Sequence, residues 1–403
     1  MTWINFLHFY QPANAADYII DKALEKSYWR LLRLMEEHPE LRMTWNFSGC
    51  LLERLEKNPD FLARLKFLVK KGRVELVGSA AYHGFLPLLP VAEVKRQIKA
   101  NEKILRRHFG RNFKPTGFFL PEMAYSSVVA RIIKRLGYSW IILDEISYSG
   151  NLRRQFPGRE VFLDDASGLK VVFRSREQSS AYPPDQILAA HQKFLKSEKA
   201  AGHLMKDRAD DFYLTATDAE LYGLRHEDPT AELEKLVKIK DLKTMTISAL
   251  IKNYRKKPVK INLYPASWEA TPAEIKSGRP YVLWQDKNNQ IQSDLWRLAN
   301  LALSLEVKFK QDKNFYWYRW HLVRGLASCT FWWASARDFS KIFGPYAWSP
   351  DEIERGLEDL VRSVRSLAAV SSKKYKLEAE KYYLRIKKNI WREHWKKRWQ
   401  KII

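Results

Sequence analysis

Gly117-Phe118-Phe119-Leu120-Pro121-Glu122-Met123-Ala124-Tyr125 and, later in the chain, Phe212-Tyr213-Leu214-Thr215-Ala216-Thr217-Asp218-Ala219-Glu220-Leu221-Tyr222-Gly223 share one pattern. Each is an apolar run of strand length that ends in a carboxylate. Short apolar runs bounded by turn residues read as buried strands. A carboxylate at the mouth of such a strand, in a β/α fold, points into the cleft where these proteins bind small molecules.

Outward from these segments, strand and helix patterns alternate. Strands are expected at 4–8, 43–47, 74–78, 116–120, 140–143, 169–174 and 212–217, with a short one at 259–263. Helical spacing is seen at 28–37, 51–71, 91–109 and 127–136, and Gly72, Gly110 and Gly137 each close a helical run. This alternation predicts parallel βα units. Residues 181–184, Ala181-Tyr182-Pro183-Pro184, read as a loop, and the charged stretch 233–260 is helical on its flanks. From about residue 290 the pattern is wholly helical: 291–307, 316–331, 350–368 and 373 onward. The expected division is a barrel over 1–275 and a helical domain over 276–403 that ends in a basic, Trp-containing tail.

A chain of 403 residues with 46% hydrophobic and 29% charged residues can bury a large core and is not of disordered composition. Cys50 and Cys329 cannot build a disulfide framework, which fits a reducing compartment. The N-terminal segment carries no basic region followed by an apolar one, and no apolar run is long enough to span a bilayer. A cytoplasmic protein is expected. Much of the net charge of +24 lies in the tail from Lys373 to Ile403, where Lys and Arg greatly outnumber Glu, and it suggests weak contact with an anionic surface. Trp391, Trp395 and Trp399 share a helical face there, so the tail also reads as a final helix packed on its neighbours.

The ordered set His8-Phe9-Tyr10-Gln11-Pro12, Gly72-Arg73-Val74-Glu75-Leu76-Val77-Gly78, Leu120-Pro121-Glu122 and Asp218-Ala219-Glu220-Leu221-Tyr222-Gly223 resembles glycoside hydrolase family 57. That family includes α-amylases, 4-α-glucanotransferases, branching enzymes and amylopullulanases. Each motif is short, and the order and spacing of all four carry the resemblance. It continues through Tyr281-Val282-Leu283-Trp284-Gln285-Asp286 and Phe331-Trp332-Trp333-Ala334-Ser335, and so covers most of the chain outside the tail. The resemblance implies an α/β fold, an incomplete seven-stranded (β/α) barrel followed by a C-terminal α-helical bundle that closes over the site. It implies a retaining mechanism, free of metal and cofactor, on α-glucosidic bonds of α-glucans or maltooligosaccharides. Glu122 matches the family's nucleophile, which forms a covalent glycosyl-enzyme, and Asp218 matches its general acid/base.

The chemistry of the residues agrees. Retention needs two carboxyl groups roughly 5–5.5 Å apart. Pro121 stiffens the approach to Glu122, although a Glu before Ser126 and Ser127 also suits a surface helix start. Asp218 also suits a helix N-cap, and Glu220 competes with it for the acid role if 218–220 stay extended. Substrate contacts are expected from His8 and Gln11 in the first motif, His83 after the third strand, Asp144 and Arg174 at later strand ends, Glu220 and His226. Asp144 and Arg174 equally suit a buried ion pair. Trp268, Trp284 and Trp332 are candidate platforms for sugar faces, though most aromatic residues bury in cores. Two departures from the family stand out: Arg225 precedes His226 where a pair of histidines is usual, and Phe118-Phe119 stand where Trp is common.

Two other classes compete with this reading. A metal-dependent polysaccharide deacetylase has a similar barrel, but none of the 9 His lies four residues from another, as the usual ligand pair requires. A non-enzymatic basic protein with an anionic partner would rest on the tail alone. Hydrolysis or transglycosylation, and α-1,4, α-1,6 or α-galactoside preference, all fit the motifs.

Overall fold

The computed structural model describes residues 2–152, 160–180, 182–200, 212–335, 339–340, 344–345 and 347–398. Two compact units make it up: Met1–Gln11, Ala15–Ala81 and Pro90–Trp268 in one, and Pro12–Asn14, Tyr82–Leu89 and Glu269–Ile403 in the other. The first unit holds β1 (Thr2–Phe9), β2 (Met43–Phe47), β3 (Val74–Leu76), β4 (Gly117–Phe119), β5 (Trp140–Asp144), β6 (Phe162–Asp164), β7 (Lys170–Arg174), β8 (Phe212–Asp218), β9 (Lys243–Thr244) and β10 (Val259–Ile261). Parallel pairing builds two arcs, β8-β1-β2-β3 and β4-β5-β7. Sparse backbone bonds join them. Gly78 N–H donates to Gly117 C=O at 3.0 Å, Phe119 N–H donates to Gly78 C=O at 2.8 Å, and Ser175 N–H donates to Leu214 C=O at 3.1 Å. These strands form an incomplete (β/α) barrel. β6 runs antiparallel to β7, β10 extends that edge, and β9 pairs with the start of β1.

Side chains alternate along a strand with period two, and that parity decides what enters the barrel. Ile4 and Phe6 of β1, Trp140 and Ile142 of β5, Val172 of β7, and Phe212, Leu214 and Ala216 of β8 share one buried cluster. Ile247, Leu250 and Ile251 of the helix Ile247–Asn253 belong to the same cluster. Carried one step further, the parity brings His8, Asp144, Arg174 and Asp218 to the interior face at the C-terminal strand ends. Register agrees, with His8 beside Asp218 and Asp144 beside Arg174.

The seven long strand patterns all appear as strands, and the short 259–263 pattern appears as β10. Several helix boundaries differ from the expected ones. The 51–71 run is two helices, Gly49–Leu55 and Pro59–Lys70. Pro59 has no N–H to continue a helix, but its fixed φ suits a first turn. For the same reason Pro183 opens the helix Pro183–Ala200 where a loop was expected, and residue 181 lies outside the described residues. The first helix begins earlier than expected: Asp17–Ala23 continues through a π turn, Leu24–Tyr28, into Trp29–Glu37. β6 was not foreseen.

The second unit is helical. Its main helices are Gln290–Lys308, Phe315–Gly325, Ser328–Trp332, Pro350–Ser366 and Lys373–Glu393. The last of these buries Ala379, Ile386 and Ile390, and Arg385 makes a two-pronged bond to the buried Asp294 at 2.6 and 2.8 Å. Trp391 stacks on Trp395, while Trp399 lies outside the described residues. Among the described residues no helix is long and apolar enough to cross a membrane.

The pairing of β4 with β5 depends on a missing side chain at Gly117, the register partner of Trp140. A Cβ on Gly117 would stand 2.0 Å from the buried indole of Trp140, which is itself pinned by Trp140 Nε1–H donating to Ser248 Oγ at 2.9 Å. Gly117→Ala is expected to lower unfolding free energy by about 1–3 kcal/mol, measured by urea denaturation. A change near zero would mean that the pairing relaxes freely.

Candidate active site

Glu122 follows β4 in a tight turn, Pro121–Met123, and takes a left-handed backbone conformation, φ 61° and ψ 16°. Met123 is left-handed as well, at φ 47°. Such residues cost of order 1–3 kcal/mol each and persist only where neighbours over-determine them. Here the turn is closed by Met123 N–H to Leu120 C=O at 2.8 Å and Ala124 N–H to Pro121 C=O at 3.1 Å. It is pinned from outside by Trp268 N–H donating to Glu122 C=O at 3.0 Å and Tyr125 N–H donating to Ala266 C=O at 2.9 Å. The Trp268 indole N–H donates to the Glu122 carboxylate at 2.7 Å. Strain and bonds together aim one half-buried carboxylate. The helix behind it starts at Ser127 with Ser126 as its cap, so Glu122 stands apart from that start.

Arg174 connects this turn to the rest of the barrel. Its guanidinium donates to Asp144 Oδ2 at 2.9 Å, to Ala216 C=O on β8 at 3.0 Å and to Trp268 C=O at 3.4 Å. Arg176 adds a second cation to the fully buried Asp144 at 2.6 Å. Of the two roles foreseen for Asp144 and Arg174, the geometry has them as a buried ion pair.

Asp218 ends β8 and makes no capping bond to the turn that follows. Arg225 donates to it at 2.8 Å in a half-exposed pair. His8 sits beside it, with Nδ1 bonded to Asn46 Oδ1 at 2.8 Å and its ring 4.6 Å from that of Phe119 on β4. Burial pulls the His8 pKa below its ordinary value, against the raising effect of Asp218. The neutral imidazole is therefore the favoured form.

Residues 218–220 do not stay extended. Ala219–Leu221 forms a 3₁₀ turn that carries Glu220 into the protein, where it is 1% exposed. There the Tyr28 hydroxyl and Gln11 Nε2 both donate to Glu220 Oε1, the latter at 2.8 Å. Gln11 thus holds a carboxylate. The π turn of the first helix grips the whole segment. Ser27 Oγ donates to Ala219 C=O at 2.6 Å, and a Cβ on Gly223, at φ +113°, would lie 2.2 Å from Lys26 C=O. π turns occur often at functional sites. Sequence reasoning missed Ser27, Tyr28 and Asn46, because their partners lie far along the chain and no local pattern marks them.

His226 is half-buried and stacks on Tyr182 at 4.1 Å between ring centroids. His83, Trp284 and Trp332 belong to the second unit. His83 is buried and shares a 2.9 Å bond with Ser328 Oγ, Trp284 is fully buried against Phe85, and Trp332 packs edge-on against Trp333. Among the described residues no three His, Cys, Asp or Glu side chains converge on a metal position.

The profile of glycosyl hydrolase family 57 matches residues 4–264. Alpha-amylase 1 of Dictyoglomus thermophilum is 26% identical over 214 residues, 52% of this chain and 31% of that protein. The 4-alpha-glucanotransferase of Thermococcus litoralis is 26% identical over 232 residues, 56% of this chain and 33% of that protein. The matched part spans about a third of the length of these curated relatives. A branching enzyme structure from Thermococcus kodakaraensis superposes with a TM-score of 0.69 at 16% identity, covering 96% of this chain and 95% of that one. The alpha-amylase AmyC structure of Thermotoga maritima gives 0.68 at 16% identity and 97% of both chains. These likenesses establish the fold, and the profile match establishes that the chain belongs to glycosyl hydrolase family 57.

Burial and the nearby Asp218 charge push the Glu220 carboxyl up to about 7 from an ordinary 4.5. The folded chain then keeps a proton there that the unfolded chain has already lost. Stability from this position is complete below pH 4.5 and is lost as pH rises through about 7. Glu220→Gln is expected to flatten the fall in urea midpoint between about pH 5 and pH 8. An unchanged slope would mean that Glu220 is ionised in the folded chain throughout.

Proposed function

We propose that this member of glycosyl hydrolase family 57 acts on α-glucans or maltooligosaccharides with retention of configuration, as a hydrolase or transglycosylase. The observation that carries the proposal is the left-handed turn that aims Glu122 at the barrel mouth, with the Trp268 indole on its carboxylate. A surface glutamate has no need of such restraint. Asp218 supplies the second carboxyl at the end of β8 on the interior parity.

In the first step a Glu122 oxygen attacks the anomeric carbon. The bond to the leaving sugar breaks, and Asp218 gives its proton to the departing oxygen. In the second step Asp218 takes a proton from water or a sugar hydroxyl, whose oxygen displaces Glu122 and restores the original configuration. The Trp268 N–H stabilises the carboxylate as it leaves, since a fixed donor in a shielded site costs no reorganisation during reaction. Arg174 acts at one remove, holding Trp268 and β8 in place.

Incubation with maltooligosaccharides followed by product analysis distinguishes the outcomes: longer products mean transfer, and shorter ones alone mean hydrolysis. Glu122→Ala is expected to lose at least about a thousandfold in kcat. With azide added, Glu122→Ala should form a β-glucosyl azide and Asp218→Ala an α-glucosyl azide, because each variant admits the anion on a different face or at a different step. Full activity in Glu122→Ala would refute the assignment, as would the same anomer from both variants.

A further inference from the structure

A second place in the molecule has the chemistry of sugar recognition. It lies wholly within the helical unit, around the helix Phe315–Gly325. Tyr316 and Trp317 on this helix are 67% and 52% exposed, an unusual position for side chains of that size. Trp317 stands edge-on to Trp320 at 6.1 Å. Beside them opens a cleft of about 320 Å³ whose lining includes Asn14, Trp320, His321, Arg324, Arg355 and Asp359. That volume falls at the lower end of the range for small-molecule sites, about 300–1,000 Å³.

The side chains of the cleft are held in place. Arg324 lies 3.6 Å from the Trp320 ring centroid and 5.1 Å from that of Tyr82, and donates to Trp320 C=O at 2.9 Å. Asp359, 6% exposed, accepts from Asn14 Nδ2 at 3.0 Å and is bonded to His321 Nδ1 at 2.8 Å. A carboxylate has about four acceptor positions, so it retains capacity for a ligand hydroxyl.

The charges decide the class of ligand. Arg362 is neutralised by Glu358 at 2.6 Å and Arg355 faces Glu352 at 3.3 Å, while Asp359 sets one further negative charge in the lining against the positive charge of Arg324. Among the described residues no carboxylate pairs with Arg324. A cleft so nearly balanced favours a neutral ligand rich in hydroxyl groups over a phosphate or other anion. Flat aromatic faces suit the apolar C–H faces of pyranose rings, and fixed arginine and aspartate groups suit their hydroxyls.

We propose that this cleft and its aromatic rim form a non-catalytic binding site for an α-glucan chain. The choice of glucan rests on the function proposed above; the binding test does not. The full-length chain is run on native gels with and without amylopectin, alongside Trp317→Ala, Trp320→Ala and Arg324→Ala. The wild type is expected to be retarded by amylopectin, and the variants are expected to lose about tenfold in affinity, as anchor residues do. Their turnover of maltohexaose should stay within about twofold of wild type, which also reports on their folding. Unchanged retardation in the variants overturns the inference, as does an unretarded wild type that still turns over maltohexaose. Wild type that is dimeric by size exclusion, with monomeric Trp317→Ala and unaltered retardation, would instead make the patch a self-association surface. Failure of the wild type to turn over any α-glucan would sink the catalytic reading, and Trp320-dependent retardation would then support the site alone.

Discussion

The buried guanidinium of Arg174 places both candidate carboxylates in one frame. It reaches Ala216 C=O, two residues before Asp218, and Trp268 C=O, in the residue whose indole holds Glu122. The cost of burying that charge is offset by Asp144, which is fully buried and bonded to Arg174 and Arg176. Breaking a buried pair by removing one partner costs about 3–5 kcal/mol, because the other charge is left without compensation. The frame is therefore stiff, and stiffness is what a reaction needs when two oxygen atoms must approach one carbon from defined directions.

A second constraint acts from the opposite arc. The π turn at Leu24–Tyr28 packs its backbone against Gly223 and hands Tyr28 to Glu220. The result gives two carboxyl groups that are neighbours in sequence different surroundings, one half-exposed and one buried. Asp218 remains at the barrel mouth beside Arg225, and Glu220 is sequestered as a structural acid. The half-exposed pair of Arg225 with Asp218 is of a kind worth about 0–1 kcal/mol. A bound sugar can displace an interaction that weak.

Much of this was visible in the sequence, for physical reasons. The strands of the barrel are short apolar runs, and period-two parity already assigns His8, Asp144, Arg174 and Asp218 to one face. Proline was the main source of error: Pro59 splits a helix and Pro183 starts one, although both lie in stretches whose composition suggests something else. The turn at Ala219–Leu221 was the other, since nothing local distinguishes an extended Glu220 from one rotated toward Tyr28. Contacts between distant segments, such as Trp268 with Glu122 or Asn46 with His8, follow from how the barrel closes and leave no local signal.

The central claim is that Glu122 carries the sugar between the two steps. A fluorinated glucosyl fluoride, which slows the second step more than the first, would trap that intermediate. Digestion and mass spectrometry of the labelled chain should then find one glucosyl adduct on the peptide containing Glu122. An adduct on Asp218 or Glu220, or turnover that gives an inverted first product and no adduct, would contradict the account.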